Sequence, residues 1–276
     1  MIFKLLKSPK LGLFLFVDKI FMLYLASQGT ICTEEGIIIA SLVKRFKLTM
    51  IYHPPMQDMY LCWEKNALTL KNRALKMSLK VDFNQLHPRA RRFHSELLIK
   101  AVNTKKYPLI WDATAGLGTD AFIMASAGAT VTLFEHHPWI GALLADGLRR
   151  AYHNNQLRLI IARMTLHFGE INHTTCNALA TPDIVYLDPM FPQQKKKSTL
   201  VKKNMQLLHG LFRESKNNDD NTLLFTDAFT FARHKVVVKR NRTSLPIVRQ
   251  IDPDYVITGP TVRYDVYLSR KYRSNI

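Results

Sequence analysis

The sequence has 276 residues, 47% of them hydrophobic, and 39 Lys+Arg against 21 Asp+Glu, a formal net charge of +18. That length holds one large α/β domain with an appendage. The charge favours a polyanionic partner through long-range attraction and counterion release, and says nothing about fold. Cys32, Cys62 and Cys176 are odd in number, far apart and in no Cys-x-x-Cys spacing, which argues against a disulfide framework or a zinc site and suits a reducing cytosol.

Lys4, Lys7 and Lys10 precede the apolar run Leu11 to Val17, the order of a signal peptide. Asp18 and Lys19 interrupt the run, no small-x-small cleavage site follows closely, and the run is too short to span a bilayer. Residues 1–19 are therefore expected to be an N-terminal extension, or the product of a start codon placed too early, and the protein to be cytoplasmic and without a membrane partner. Residues 20–86 read as a small α+β unit: a strand over Phe21–Leu25, a helix over Glu34–Phe46, and strands Met59–Trp63 and Ala67–Leu70 joined by a Lys65-Asn66 turn. The basic segment His87–His94 leads into a second unit, 87–276.

From Tyr107 strands alternate with helices. Leu109–Asp112 is a buried strand ending in a carboxylate, followed by a glycine turn and a helix over Asp120–Ala127. Thr130–Phe134 ends at Glu135, a helix runs from Pro138 to Tyr152, Met164–Phe168 is the third strand, and Asp183–Leu187 ends at Asp188. Helices are expected over Leu200–Arg213 and Leu223–Ala232, then a strand over Val236–Val238, and a terminal hairpin of Tyr255–Thr258 and Val262–Leu268. This pattern predicts an α/β fold: a doubly wound, mostly parallel sheet of seven strands closed by an antiparallel hairpin. Ligands of such sheets lie at the carboxyl ends of the strands, where Asp112, Glu135 and Asp188 all fall.

Gly116 and Gly118 permit positive φ and close backbone approach to a ligand. Glu135, seventeen residues beyond Gly118, is placed to accept both ribose hydroxyls of an adenosine. The Gly116-x-Gly118-x-x-Ala121 pattern also matches the dinucleotide fingerprint, so the turn alone leaves nicotinamide dinucleotide and S-adenosylmethionine (SAM) open. Asp112 tilts the choice to SAM, because a carboxylate four residues before Gly116 suits a cationic methionine end and repels a pyrophosphate. After the third strand, Glu170 can accept the adenine amine and Ile171 can pack on its ring.

Asp188-Pro189-Met190-Phe191-Pro192 resembles the (Asp/Asn)-Pro-Pro-(Tyr/Phe) motif of amino-methyltransferases. An exocyclic base amine is a poor nucleophile because its lone pair is delocalised into the ring. Asp188 and the Pro189 carbonyl can accept hydrogen bonds from the amine and localise that pair, while Phe191 offers a face for a flipped or unpaired base. The catalytic set is therefore Asp188, Pro189 and Phe191. Lys195, Lys196, Lys197, Lys202 and Lys203 follow this motif, and with Arg89, Arg91, Arg92, Lys239 and Arg240 they form the expected RNA-binding set, meeting phosphates that fix register without reading sequence. Lys235 and Arg242 add to the basic supply. His136, His137 and the other histidines lack metal spacing, and no metal is expected.

Asp112–Gly118, Ala142–Leu148, Val185–Pro192, Leu200–Lys203 and Val236–Arg240 are together similar to the ribosomal RNA small subunit methyltransferase J family, over roughly residues 22–270. The resemblance implies a class I, Rossmann-like methyltransferase fold and methyl transfer from SAM to the N2 amine of a guanine near the 3′ end of 16S ribosomal RNA, free or in the small subunit. It also implies cofactor contacts at Thr119 and Asp120, where the family usually has Arg-Asp; at Glu135 and His136, where Glu-Arg is usual; at Glu170 and Ile171, where two serines are frequent; and at Asp188, which matches unchanged. With Asp112, Gly116 and Gly118 these complete the expected cofactor set. The family's Gly-rich Lys-Phe-Gly-Gly-Gly-Arg-Gly-Glu segment is replaced by the shorter Arg92-Phe-His-Ser-Glu96. Rival readings are another nucleic-acid amino-methyltransferase, acting on DNA or other RNA, an NAD-dependent oxidoreductase, and a non-catalytic RNA-binding factor.

If Lys195, Lys196 and Lys197 bind phosphates beside the target base, replacing all three with alanine weakens RNA binding and flattens the dependence of log affinity on log salt by about 0.7–0.9 for each phosphate no longer held. Salt titrations of wild type and the triple variant giving parallel slopes and equal affinities would move the docking surface toward Arg89, Arg91 and Arg92.

Overall fold

The computed structural model describes residues 22–25, 32–53, 55–189 and 218–269. In chain order these form β1 (Met22–Leu25), α1 (Thr33–Phe46), β2 (Thr49–Ile51), β3 (Met59–Glu64), β4 (Ala67–Asn72), β5 (Met77–Leu79), α2 (His87–Ala90), α3 (Leu97–Val102), β6 (Leu109–Asp112), α4 (Thr119–Ser126), β7 (Thr130–Glu135), α5 (Pro138–Tyr152), α6 (Arg158–Ile161), β8 (Met164–Phe168), α7 (His173–Cys176), β9 (Ile184–Leu187), α8 (Asn218–Phe231), β10 (Lys235–Asn241), β11 (Tyr255–Thr258) and β12 (Val262–Leu268). The helix expected over Leu200–Arg213, and with it Lys202 and Lys203, lies outside the described residues, as do Phe191 and Lys195 to Lys197.

The larger sheet has the order β11-β12-β10-β9-β6-β7-β8. Its β10-β9-β6-β7-β8 portion is parallel, and β12 runs antiparallel to both β10 and β11. This is the doubly wound sheet with a terminal hairpin that the alternation predicts. Its central strands are buried on both faces, as parallel strands covered by helices must be. Successive residues of β9 and β10 divide between two cores: Tyr186 and Val237 join the cluster that includes α4 and α5, whereas Val185, Leu187, Val236 and Val238 join that of α8. The winding direction reverses between β6 and β9, and an open crevice forms at such a switch point, outside the carboxyl ends of the strands.

The smaller sheet, β2-β1-β3-β4-β5, pairs β1 in parallel with β2 and β3, then continues as an antiparallel meander. Lys65 and Asn66 link β3 to β4 with φ of 50° and 56°, the two consecutive positive values that a tight hairpin turn requires. Two strands go beyond the sequence-based expectation, β2 and β5. Each has three residues, too few for a period-two signal to stand out. Helix α1 has acids in its first turn (Glu34, Glu35) and bases in its last (Lys44, Arg45), complementing the helix dipole, and buries Ile39, Leu42 and Phe46 along one stripe.

One buried carboxylate ties the small sheet to α5. Asp146 is fully buried; its Oδ2 accepts the Leu68 N–H at 3.0 Å and Arg150 Nε at 2.8 Å, and its Oδ1 accepts Arg149 nitrogens at 3.2 and 2.9 Å. Arg150 in turn donates to the Val81 carbonyl. Removing one partner of such a buried group strands the others, so Asp146→Ala is expected to destabilise the fold by about 3–5 kcal/mol. Denaturant unfolding monitored by circular dichroism checks this; a loss under about 1 kcal/mol, the range of an exposed ion pair, would show the clasp to be dispensable.

Candidate functional site

The site is built where β6, β9, β7 and β10 end. The chain leaves β6 at Asp112, which is 2% exposed and accepts the Thr114 N–H at 3.2 Å through Oδ1. It then turns through Gly116 (φ 53°) and Gly118 (φ 75°) into α4. The two glycines serve different ends. A Cβ on Gly116 would meet only the Thr114 carbonyl oxygen, at 3.9 Å, so open space lies before it. A Cβ on Gly118 would stand 2.7 Å from Leu144 Cδ1 and 3.3 Å from Phe83 Cζ. Gly118 has the positive φ expected of it, and its missing side chain also makes room for core packing under α4.

Glu135 closes β7, 6% exposed. Its Oε2 accepts the Gly116 N–H at 3.0 Å and its Oε1 the His137 N–H at 2.7 Å, so one carboxylate braces both the glycine turn and the entry to α5. Burial pushes this carboxyl above its ordinary range, against those two hydrogen bonds and the neighbouring His136. His136 and Glu170 are exposed and aligned with it: His136 Nδ1 lies 3.8 Å from Glu135 Oε1 and 3.9 Å from Glu170 Oε1. Ile171, expected to pack on an adenine ring, is 2% exposed inside the second core with Phe134 and Trp111. Its side chain is already covered by protein, and that expectation is corrected.

Thr119 opens the first turn of α4, and Asp120 follows it. Asp120 Oδ2 accepts the Tyr186 hydroxyl at 2.6 Å and Lys239 Nζ at 2.7 Å. Lys239 Nζ also donates to Asp188 Oδ2 at 2.8 Å. The Asp188 N–H donates to Thr114 Oγ1 at 2.6 Å, joining the end of β9 to the glycine turn. Pro189 follows it, buried.

Three carboxylates thus gather round one ammonium. Burial, then the charges of Asp120 and Asp188, holds the Asp112 carboxyl well above its usual range. Burial would also raise Asp120, but the Lys239 ammonium and the hydrogen bonds from Lys239 and Tyr186 hold it below. Asp188, with 40% of its side chain exposed, is pushed up by partial desolvation and by Asp120, with Lys239 opposing. Tyr186 is pushed well up by burial and by the same acids.

Two members of the expected RNA-binding set turn inward. Lys239 is committed to two carboxylates, and Arg240, 7% exposed, donates through Nε and Nη2 to the Leu245 carbonyl at 3.0 and 2.5 Å. Both are corrected from phosphate contacts to interior groups. Arg89 is exposed but forms a two-pronged pair with Glu96 at 2.6 and 2.8 Å, whereas Arg91 and Arg92 are exposed. Thr114 and Tyr186 are site members that sequence reasoning missed, and Lys239, expected among the phosphate contacts, joins them.

The family of SAM-dependent methyltransferases SAM_MT matches residues 41–269. Ribosomal RNA small subunit methyltransferase J of Neisseria gonorrhoeae is 41% identical over 235 residues, covering 83% of this chain and 92% of the relative. Its namesake in Buchnera aphidicola subsp. Schizaphis graminum is 36% identical over 250 residues, 87% and 97% of the two chains. The crystal structure of a SAM-dependent methyltransferase from Neisseria gonorrhoeae superposes with a TM-score of 0.72 at 34% identity, over 90% of this chain and 96% of that one. The glycine turn, the carboxylates at the strand ends and these matches lead to one assignment: the chain belongs to the ribosomal RNA small subunit methyltransferase J family of SAM-dependent methyltransferases.

Proposed function

We propose that this methyltransferase modifies the exocyclic N2 amine of a guanine near the 3′ end of 16S ribosomal RNA, with Asp188 as the group that receives the amine. The observation that carries this reading is the accessible Asp188 carboxylate at the carboxyl edge of the sheet, its backbone tied to the glycine turn through Thr114. The relatives' name, ribosomal RNA small subunit methyltransferase J, supports the substrate class, and the net charge of +18 suits an RNA partner.

The residues present fit the cofactor. Space is open before Gly116, and Asp112, Asp120 and Asp188 outnumber the Lys239 ammonium beside them, a donor set that favours a ligand with a cationic end. When bound, SAM supplies a methyl group activated by its sulfonium. Asp112 would face the methionine end, Glu135 the ribose, and Glu170 with His136 the adenine side. Thr119 and Gly118 shape the helix start below. Asp188 and the Pro189 carbonyl would accept the amine's N–H groups and aim its lone pair, and Phe191 would stack on the base. Asp188 then takes the proton shed by the methylated nitrogen and releases it to solvent. Arg91 and Arg92, with Lys195, Lys196, Lys197, Lys202 and Lys203, would hold phosphates; Arg89 joins them only by leaving Glu96.

Asp188→Ala is expected to abolish tritiated-methyl transfer to 16S ribosomal RNA while leaving SAM affinity within about tenfold, because accepting from the amine matters in the transition state. Turnover like that of wild type would remove Asp188 from catalysis. Glu135→Ala is expected to raise the SAM dissociation constant about tenfold or more, through lost charged hydrogen bonds and a loosened turn. Unchanged affinity by calorimetry would mean that the ribose is held elsewhere.

A further inference from the structure

Lys239 is placed by strand pairing. Val238 of β10 lies opposite Leu187 of β9, so the next residue along each strand brings Lys239 beside Asp188. Its side chain is 24% exposed, and its ammonium bridges Asp188 Oδ2 and Asp120 Oδ2 at 2.8 and 2.7 Å. Tyr186, on the same face of β9, donates to the same Asp120 oxygen. Asp188 is faced by Lys239 and Arg240 from β10, Asp120 from α4, Asp112 from β6, Tyr186 from its own strand and Tyr264 from β12, with Arg89 acting on Asp120 from α2. Among these, Lys239 is the cation in direct contact with Asp188.

We propose that Lys239 is a positioning residue for methyl transfer: by bridging Asp120 and Asp188 it fixes one oxygen of Asp188 and keeps that group a carboxylate, leaving the other oxygen for the target amine. The proposal rests on Asp188 being the amine's acceptor. In the transfer, the nitrogen lone pair forms the N–C bond as the C–S bond breaks, and the C–S pair stays on sulfur. The nitrogen then loses a proton, which Asp188 accepts and passes to water. A protonated Asp188 cannot take up that proton, and with one oxygen held by Lys239 it is also the weaker acceptor for the amine. The bland alternative is a lysine that merely neutralises a packed corner of the fold.

The two roles separate by titration. The ¹³C resonance of the Asp188 carboxyl is followed against pH in the cofactor-free protein, and the acid limb of kcat/KM against pH is measured with small ribosomal subunits lacking the modification. Lys239→Met is expected to move both the midpoint and the limb up by about one pH unit or more, and Lys239→Arg to restore them. Asp120→Asn, which removes the like charge and keeps the ammonium, is expected to move both down. Midpoints unmoved in Lys239→Met and Asp120→Asn, even with lower activity at every pH, would overturn the proposal. Should Lys239→Met fail to fold, Asp120→Asn against wild type decides by its sign. Full turnover by Asp188→Ala would instead contradict the reading of Asp188 as acceptor, a failure distinct from an unmoved midpoint.

Discussion

Asp120 and Asp188 each approach the same ammonium within 2.8 Å at the carboxyl edge of the large sheet, and buried Asp112 adds its charge from the neighbouring strand. Two like charges about 5 Å apart, at an effective dielectric near 20, repel by about 3 kcal/mol. Without compensation the group would relieve this by taking up protons, and a protonated cluster would offer little to a cationic ligand. Lys239 offsets part of the repulsion, so an anionic surplus persists there. That surplus is the electrostatic condition for the proposed site: it suits the positive methionine end of SAM and an acceptor role for Asp188.

The rest of the fold keeps these groups in register. Parallel pairing of β10 with β9 and of β9 with β6 sets Lys239, Asp188 and Asp112 on adjacent strand ends. Glu135, one strand further on, grips the glycine turn by the Gly116 N–H, and Thr114 grips Asp188 by its backbone. The glycine turn and the end of β9 are thereby coupled through two side chains. The small sheet braces the same helices from behind: Asp146 gathers Leu68, Arg149 and Arg150, and Arg45 reaches the Leu166 carbonyl of β8 at 2.5 Å.

Much of this was legible in the residue pattern for physical reasons. Strands with buried faces read as apolar runs, so β6, β7, β8 and β9 were placed to within a residue or two, and α5 matched from Pro138 to Tyr152 because proline starts a helix well and the amphipathic period is strong. Carboxylates at strand ends pointed to the crevice. Pairwise facts were hidden. A basic residue after a valine run reads as surface charge, and only the register of β10 against β9 reveals that Lys239 faces two acids. Ile171 next to an exposed glutamate reads as a ligand contact, and only the tertiary packing of the second core buries it. Gly118 carries two demands at once, a positive φ and the closeness of Leu144, and sequence can express only the first.

Under the proposed function, specificity for one guanine would come from RNA contacts beyond the amine itself, since phosphate contacts position a duplex or loop without reading it. Exposed Arg91 and Arg92 stand at the start of the shortened segment before α3, where the Phe93 and His94 rings lie 4.0 Å apart. The account is tested most directly by mass spectrometry of nucleosides from 16S ribosomal RNA of cells with and without the gene. It predicts that N2-methylguanosine from a fragment near the 3′ end disappears in the deletion and returns with the wild-type gene. An unchanged nucleoside profile, or the loss of a different methylated base, would contradict it.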